Sequence, residues 1–362
     1  MKVAIVCDWL TNIGGAERVV LELHKLYPKA PIYTSQYDPQ AIDWFKDADV
    51  RTLWLQHLPK SIRKFLPILR AWSFSHLDLS DYDLVLSSSS AEAKAVKTGD
   101  NTVHVWYCHA PTHYYWMRYE DYLKDPGFGA FDWLARIGLK ITVGPMRWWD
   151  RRVAQRPDYI IANSTFTQSK IKKYYGREAQ VIHPPVAIDR FKSEQAHERR
   201  GFVAIGRQTP YKKIDLAVKA CTSLDLPLFV IGDGPQHREL VESAGPSIQF
   251  MTDAGDEDVV EYLTRAEALI FPGIDDFGIT AVEALAAGIP VIAYNGGGAL
   301  DYMIDNKTGL LFNKLSVDSL AKCLKSFKAR NFDSNYLKEV ASQFSASEFK
   351  TKFKTFINSI NQ

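Results

Sequence analysis

The sequence predicts an α/β protein, with parallel sheets assembled from strand–loop–helix–strand units and shared between two domains. Three observations predict it. The first is one complete unit in residues 268–294: Ala268–Phe271 reads as a buried strand closed by Pro272-Gly273, and Val291-Ile292-Ala293 reads as a second strand. Between them Thr280-x-x-Glu283 has the form of a capping box opening a short helix that stops at Gly288, with Pro290 beyond. The second is recurrence: apolar runs of strand length return along the chain, closed by glycine or polar turns, several leading into helical spacing, which is the repeating piece of a parallel sheet. The third is length. A chain of 362 residues has room for two domains of ordinary size, and Ser193–Arg200, polar but for Ala196, puts the division near 184–196. The expected domains are 1–190, joined by the C-terminal helix 345–362, and 191–344.

Composition narrows the class. A hydrophobic fraction of 46% with 24% charged residues describes an ordinary globular protein, and a formal net charge of +2 makes no global case for a nucleic-acid binder. Cys7, Cys108, Cys221 and Cys323 are scattered, with neither metal spacing nor a disulfide framework, and fit a reducing cytoplasm. The opening run is too short for a signal peptide, and no window of about 18 uninterrupted apolar residues exists to span a membrane.

In chain order, residues 3–7 are a strand, and Asn12–Glu17 is a glycine loop leading into a helix through about His24. Gly14 and Gly15 would let backbone approach a ligand, and the helix N-terminus behind them favours a phosphate; a plain tight turn would look the same. Lacking Gly-Lys-Ser/Thr and a third glycine, the loop is neither a Walker loop nor a dinucleotide fingerprint. Residues 57–70 form a basic amphipathic stretch broken by Pro67. Leu58, Ile62, Phe65, Leu66 and Leu69 follow helical spacing among Lys60, Arg63, Lys64 and Arg70, suiting either an anionic bilayer or a solvated helix face. Asp83–Ser87 is a strand running into the serines up to Ser90, and residues 102–116 place His109 at a strand's carboxyl end, with His113 four residues on. A histidine there can donate to a sugar hydroxyl or a developing charge. Residues 113–152 are aromatic and basic, with Trp116, Trp133, Trp148 and Trp149 beside Arg147, Arg151 and Arg152; sugar stacking, a membrane interface and an inter-helix core all fit. Tyr159–Ser164 reads as a further strand, and Val181–Val186 as a strand running out into a proline-marked connection.

The second half restarts with a strand ending at Gly206-Arg207. Lys212 and Lys213 then enter a helix containing Leu216–Ala220. Arg207 can grip phosphate oxygens bidentately, and Lys212 can add a point charge. Leu228–Ile231 is a strand closed by Gly232-Asp233-Gly234-Pro235, and Asn295-Gly296-Gly297-Gly298 follows the strand at 291–293. Asp275-Asp276-Phe277-Gly278 leaves the carboxyl end of its strand, where open α/β sheets put ligands, and Glu283 can accept two hydroxyl hydrogens of a ribose diol. Backbone amides of Phe277, Gly278 and Ile279 would face the same ligand. The tail from Ser345, with Phe349, Phe353, Phe356, Ile357 and Ile360, is an amphipathic helix.

Together these stretches resemble the retaining, nucleotide-sugar-dependent family 4 glycosyltransferases of the GT-B fold. Glu283 matches the second of the family's paired glutamates, while Asp275, eight positions earlier and one methylene shorter, stands where the first is expected. Gly-Gly-Ala-Glu at 14–17, Tyr-Cys-His-Ala-Pro at 107–111, Gly206-Arg207 with Lys212, and Gly-Asp-Gly-Pro at 232–235 are similar to family motifs and follow the same order.

The resemblance implies two Rossmann-like domains facing across a cleft, with the C-terminal helix crossing back to the first. It implies a hexosyltransferase working with retention: Asp275, His109, Arg207 and Lys212 at the reacting centre, and Gly14, Gly15, Gly232, Phe277, Gly278, Ile279 and Glu283 also on the donor. The donor it implies is GDP-mannose, with a UDP-hexose as runner-up, and neither a cofactor nor a metal is expected. The acceptor would be a lipid-linked or polysaccharide glycan, met in the cytoplasm at the inner face of an anionic plasma membrane through Lys60, Arg63, Lys64 and Arg70. A sugar-nucleotide epimerase or hydrolase, or a binding module with a disabled site, would carry the same fold.

Overall fold

The structure, a computed structural model, describes residues 1–58, 67–124, 126, 129–191 and 198–360. It divides into two units, residues 1–185 with 349–362, and residues 186–348.

Among its described residues the first unit is built on seven strands: β1 (Val3–Cys7), β2 (Ile32–Thr34), β3 (Val50–Thr52), β4 (Leu84–Ser89), β5 (Val103–Cys108), β6 (Tyr159–Ala162) and β7 (Gln180–Val181). They run in the order β3-β2-β1-β4-β5-β6-β7, and every neighbouring pair is parallel. The central strands β1 and β4 are buried along their whole length, which is why β1 reads as a continuous apolar run and not as an alternation. β4 ends in serines, and a buried hydroxyl needs a partner. Ser87 Oγ bonds His104 Nε2 at 2.8 Å, Ser88 Oγ bonds His109 Nε2 at 2.8 Å, and Ser89 donates to Asp8 Oδ1 at 2.8 Å.

The last helix, Ala346–Ile360, belongs largely to this unit. Phe349, Phe353, Phe356 and Ile357 share one core with Val3, Ile5, Leu84, Leu86 and Tyr107. Burial of four such side chains offsets the entropy of ordering the tail, at about 1.5–3 kcal/mol each. The helix starts where expected, because Ser345 Oγ accepts from the amide of Glu348 at 3.3 Å.

Among its described residues the second unit has six strands, β8 (Phe202–Ile205), β9 (Leu228–Ile231), β10 (Ile248–Met251), β11 (Ala268–Phe271), β12 (Val291–Tyr294) and β13 (Gly309–Phe312). Their order is β10-β9-β8-β11-β12-β13, again parallel throughout. In each sheet the order reverses once, between β1 and β4 and between β8 and β11. Neighbouring connections leave those points to opposite faces, opening a crevice at the carboxyl ends, where ligands bind.

One local expectation needs correction. The helix after β11 is Ile279–Ala286, with Gly278 as its N-cap and no side-chain capping bond, so Thr280 and Glu283 form no capping box. Gly278 is left-handed at φ 92°, and a Cβ there would lie 2.6 Å from Tyr302 Oη and 2.8 Å from Phe271 Cζ. The Tyr302 hydroxyl lies within 2.9 Å of the Phe277 carbonyl and 3.0 Å of that of Gly278, holding the turn from outside the helix. Pro67 is the first described residue of the helix Pro67–His76, and its missing N–H costs nothing in the first turn.

Candidate active site

In the second unit four strand ends converge. Gly206 and Arg207 follow β8, and the turn Pro210–Lys212 brings Lys212 back to Asp275 beyond β11, where Lys212 Nζ and Asp275 Oδ2 form an ion pair. Glycines let these loops touch backbone to backbone. A Cβ on Gly232 after β9 would sit 2.4 Å from the Gly206 carbonyl oxygen, and one on Gly273 would sit 2.8 Å from Lys212 Cα. On the other flank Gly298, after β12, donates its amide to the Asp275 carbonyl at 2.8 Å, and a Cβ there would lie 2.1 Å from the Asp276 carbonyl oxygen. Arg207 is exposed and has no ion-pair partner among the described residues, so its guanidinium is available to an arriving anion.

The two carboxylates are treated differently. Asp275 is 8% exposed; Oδ2 meets Lys212, but Oδ1 is buried with no hydrogen-bond partner among the described residues. A buried acceptor left so costs about 1–3 kcal/mol, a debt that a ligand hydroxyl would clear. Glu283 lies one turn into its helix and is 6% exposed; Arg190 Nη2 holds its Oε1 at 2.7 Å, and Arg190 Nη1 lies 3.4 Å from Asp256 Oδ1. Arg190 is a residue that sequence reasoning missed. Its signal, an arginine before Phe191 in a polar connection, is indistinguishable from surface charge until the sheet brings residue 283 beside it.

In the first unit, Gly14 caps the helix Gly15–Leu26 in an extended conformation open to any residue. A Cβ there would lie 2.8 Å from Glu17 Oε2, the tip of a side chain that would have to shift. Burial, aided by the neighbouring Asp8 carboxylate, pushes Glu17 up to about 7. Asp8, also missed from sequence, ties the segment after β4 to the end of β1: besides Ser89 it accepts from the amides of Ser90 (2.9 Å), Ala91 (3.1 Å) and Ala93 (2.8 Å). His109 follows β5 as expected; Ser88 holds its Nε2, its carbonyl accepts from Asn163 Nδ2 at 2.8 Å, and Tyr107 packs on the ring at 5.1 Å. His104 is fully buried, which pulls it down to about 3 and keeps it neutral.

The basic stretch is only partly described, since Lys60, Arg63 and Lys64 lie outside the described residues. Arg70 is not a membrane contact: its Nε donates to the fully buried Glu92 at 2.9 Å, its side chain is 12% exposed, and it stacks over Trp9. A buried carboxylate needs a cation, and Arg70 is in reach. The aromatic region sorts itself. Trp116 stacks on Tyr174 and donates to Asp150 at 2.7 Å, whereas Trp133 and Trp148 stand 60% and 66% exposed.

Residues 13–190 match the model described as Glycosyltransferase Family 4, and residues 186–344 match Glycosyl transferases group 1. The chain belongs to the family 4 glycosyltransferases. Over 202 residues this family 4 chain is 29% identical to the GDP-mannose-dependent alpha-(1-6)-phosphatidylinositol monomannoside mannosyltransferase of Mycobacterium tuberculosis, a match spanning 47% of the chain and about half, 52%, of that relative. It is 25% identical to the alpha-1,3/1,6-mannosyltransferase ALG2 of Dictyostelium discoideum, covering 83% of this chain and 84% of the relative. The fold matches HepE of Anabaena in complex with UDP-glucose, with a TM-score of 0.70 at 17% identity over 99% of this chain and all of that one. The architecture is thus GT-B, with two parallel-sheet Rossmann-like domains and a final helix packed on the first.

Proposed function

We propose that the chain transfers a hexose, with retention, from a nucleoside diphosphate sugar to a hydroxyl of a lipid-linked or polysaccharide glycan. The observation that carries this reading is the orphaned Asp275 Oδ1 beside Lys212, at the ends of β8 and β11. It is an acceptor waiting for a hydroxyl next to a cation suited to a phosphate. In this scheme Arg207 and Lys212 stabilise the departing diphosphate, and Glu283, set by Arg190, takes the ribose hydroxyls. Asp275 and the amides of Phe277, Gly278 and Ile279 orient the sugar, and Gly232 admits the nucleotide. The C1–phosphate bond breaks with its electron pair going to the phosphate oxygen. The acceptor oxygen then bonds C1 on the same face and gives its proton to that oxygen. Two cations suffice to neutralise the leaving group, so we expect no metal requirement.

The names of the mannosyl-transferring relatives favour GDP-mannose, with a UDP-hexose as the second reading because HepE was solved with UDP-glucose. A lipid-linked acceptor would be met at the cytoplasmic face of an anionic membrane. Incubation with GDP-mannose, UDP-glucose and related donors, with and without lipid-linked acceptor and with and without EDTA, tests all of this. Donor consumption that depends on acceptor and ignores chelation is expected. Conversion of the donor sugar without acceptor would make the chain an epimerase, and binding without turnover would make it a binding module. Loss on chelation with rescue by a divalent ion would overturn the metal-free clamp.

A further inference from the structure

The helix Asp132–Val153 is built the wrong way round for a helix of a water-soluble protein. Of its 22 residues only Asp150 and Val153 are buried, and its apolar stripe faces solvent. Leu134, Ile137, Ile141 and Trp148 are 54%, 47%, 70% and 66% exposed, and their spacing places them along one side. Phe131 and Trp133 extend the stripe at its N-terminal end, at 68% and 60% exposure. The inner side is pinned by polar bonds instead. Asp150 pairs with the fully buried Lys94 at 2.7 Å and accepts from Tyr175 Oη at 2.7 Å, while Arg147 Nε donates to the Tyr115 carbonyl at 2.6 Å. Such an outward apolar stripe marks a binding surface.

Charge says what covers it. Lys140 and Arg152 are exposed beside the stripe, and the Arg152 guanidinium lies 5.6 Å over the Trp148 ring, while Arg151 turns back to the Tyr174 carbonyl at 3.0 Å. The helix's two acids are engaged elsewhere, Asp150 in the interior and Asp132 with Arg136 at 3.9 Å. Apolar residues between terminal tryptophans, flanked by cations on long stems, match the layers of an anionic bilayer: acyl chains beneath, headgroups at the rim. No described helix is long and apolar enough to cross a membrane, so this one would lie in its plane.

We propose that the outward face of Asp132–Val153 docks the protein on anionic lipid. This gives the membrane reading above a surface, and it uses neither Arg70 nor any donor-site residue. The test is sedimentation of the full chain with phosphatidylcholine vesicles, with and without phosphatidylglycerol. Wild type should bind the anionic vesicles, less so as salt rises. The triple variant Ile137→Ser, Ile141→Ser, Trp148→Ser should bind at least about tenfold more weakly. Lys140→Ala with Arg152→Ala should cost about fivefold per cation, on anionic vesicles only. The altered side chains are exposed, so melting curves and calorimetric binding of GDP and UDP should stay as in wild type, which separates loss of docking from loss of the donor site. Vesicle binding without any sugar-nucleotide turnover would sink the transferase reading and leave this one standing. Equal vesicle binding by wild type and triple variant would overturn the proposal. So would a wild-type dimer that the triple variant converts to monomer, since a second copy would then be the cover.

Discussion

Asp275 is where the donor-site reasoning is most exposed to test. Its Oδ2 is paired with Lys212 and its Oδ1 is buried without a partner, the two side chains being 10% and 20% exposed. If Oδ1 accepts a sugar hydroxyl in the transfer state, Asp275→Ala loses a hydrogen bond to a charged group, worth about 1.5–3 kcal/mol. That converts to a fall in turnover of roughly 10- to 150-fold. Asp275→Asn keeps the shape and a neutral acceptor, whose bond is worth about 0.5–1.5 kcal/mol, so it should lose about tenfold. On this reading the bare nucleoside diphosphate makes no bond to that oxygen, and its affinity should not fall. Asp275→Ala also removes the unsatisfied oxygen but breaks the ion pair with Lys212, two opposed effects on stability, so activity should fall by more than the change in thermal midpoint accounts for. Steady-state rates with the sugar nucleotide, calorimetry with the diphosphate and a melting curve together decide it. A variant that melts earlier yet turns over normally would make Asp275 a structural partner of Lys212 and refute the argument. Asp275→Glu extends the carboxylate by about 1.5 Å, one C–C step, and a several-fold gain in rate would mean that aspartate weakens the site.

Three further outcomes are expected. Arg190→Ala leaves the nearly buried Glu283 carboxylate without its 2.7 Å partner, a loss of about 3 kcal/mol at the low end for a broken buried pair; the diphosphate should bind at least about tenfold more weakly, with Arg190→Lys restoring part, and unchanged affinity in Arg190→Ala would remove its positioning role. Glu17 rises from an ordinary 4.5 to about 7 on folding, so its contribution is full below 4.5 and is lost as pH climbs through 7; Glu17→Gln should match wild type near pH 4 and exceed it by up to about 3 kcal/mol at pH 8 in urea unfolding, whereas parallel pH profiles would show that the carboxyl titrates normally. Gly298→Ala would put a Cβ 2.1 Å from the Asp276 carbonyl and push the donor loop away; activity should be nearly lost while circular dichroism stays native, and wild-type rates would mean that the loop yields freely.

The sequence by itself determined the elements and the chemistry at their ends. Strand and helix periodicity is written in neighbouring residues, so the unit at 268–294, the strands opening each half and the apolar face of the tail were all legible. Glycines and charges placed just after strands pointed to the ligand-binding edge, because a parallel sheet sends every carboxyl end to the same side. The choice of partners was left to the tertiary structure. Thr280-x-x-Glu283 looks like a cap, yet Glu283 pairs with Arg190 and the turn is held by Tyr302. Arg70 reads as surface charge, yet it neutralises the buried Glu92. Periodicity shows that a helix has an apolar face but not which way that face turns: the helix Ala346–Ile360 turns it into the core, whereas Asp132–Val153 turns it out, its inner side already engaged by Lys94 and Tyr115. Burial and pairing depend on which strands become neighbours, and β8 lying beside β11 is a property of the whole sheet that no local stretch of chain contains.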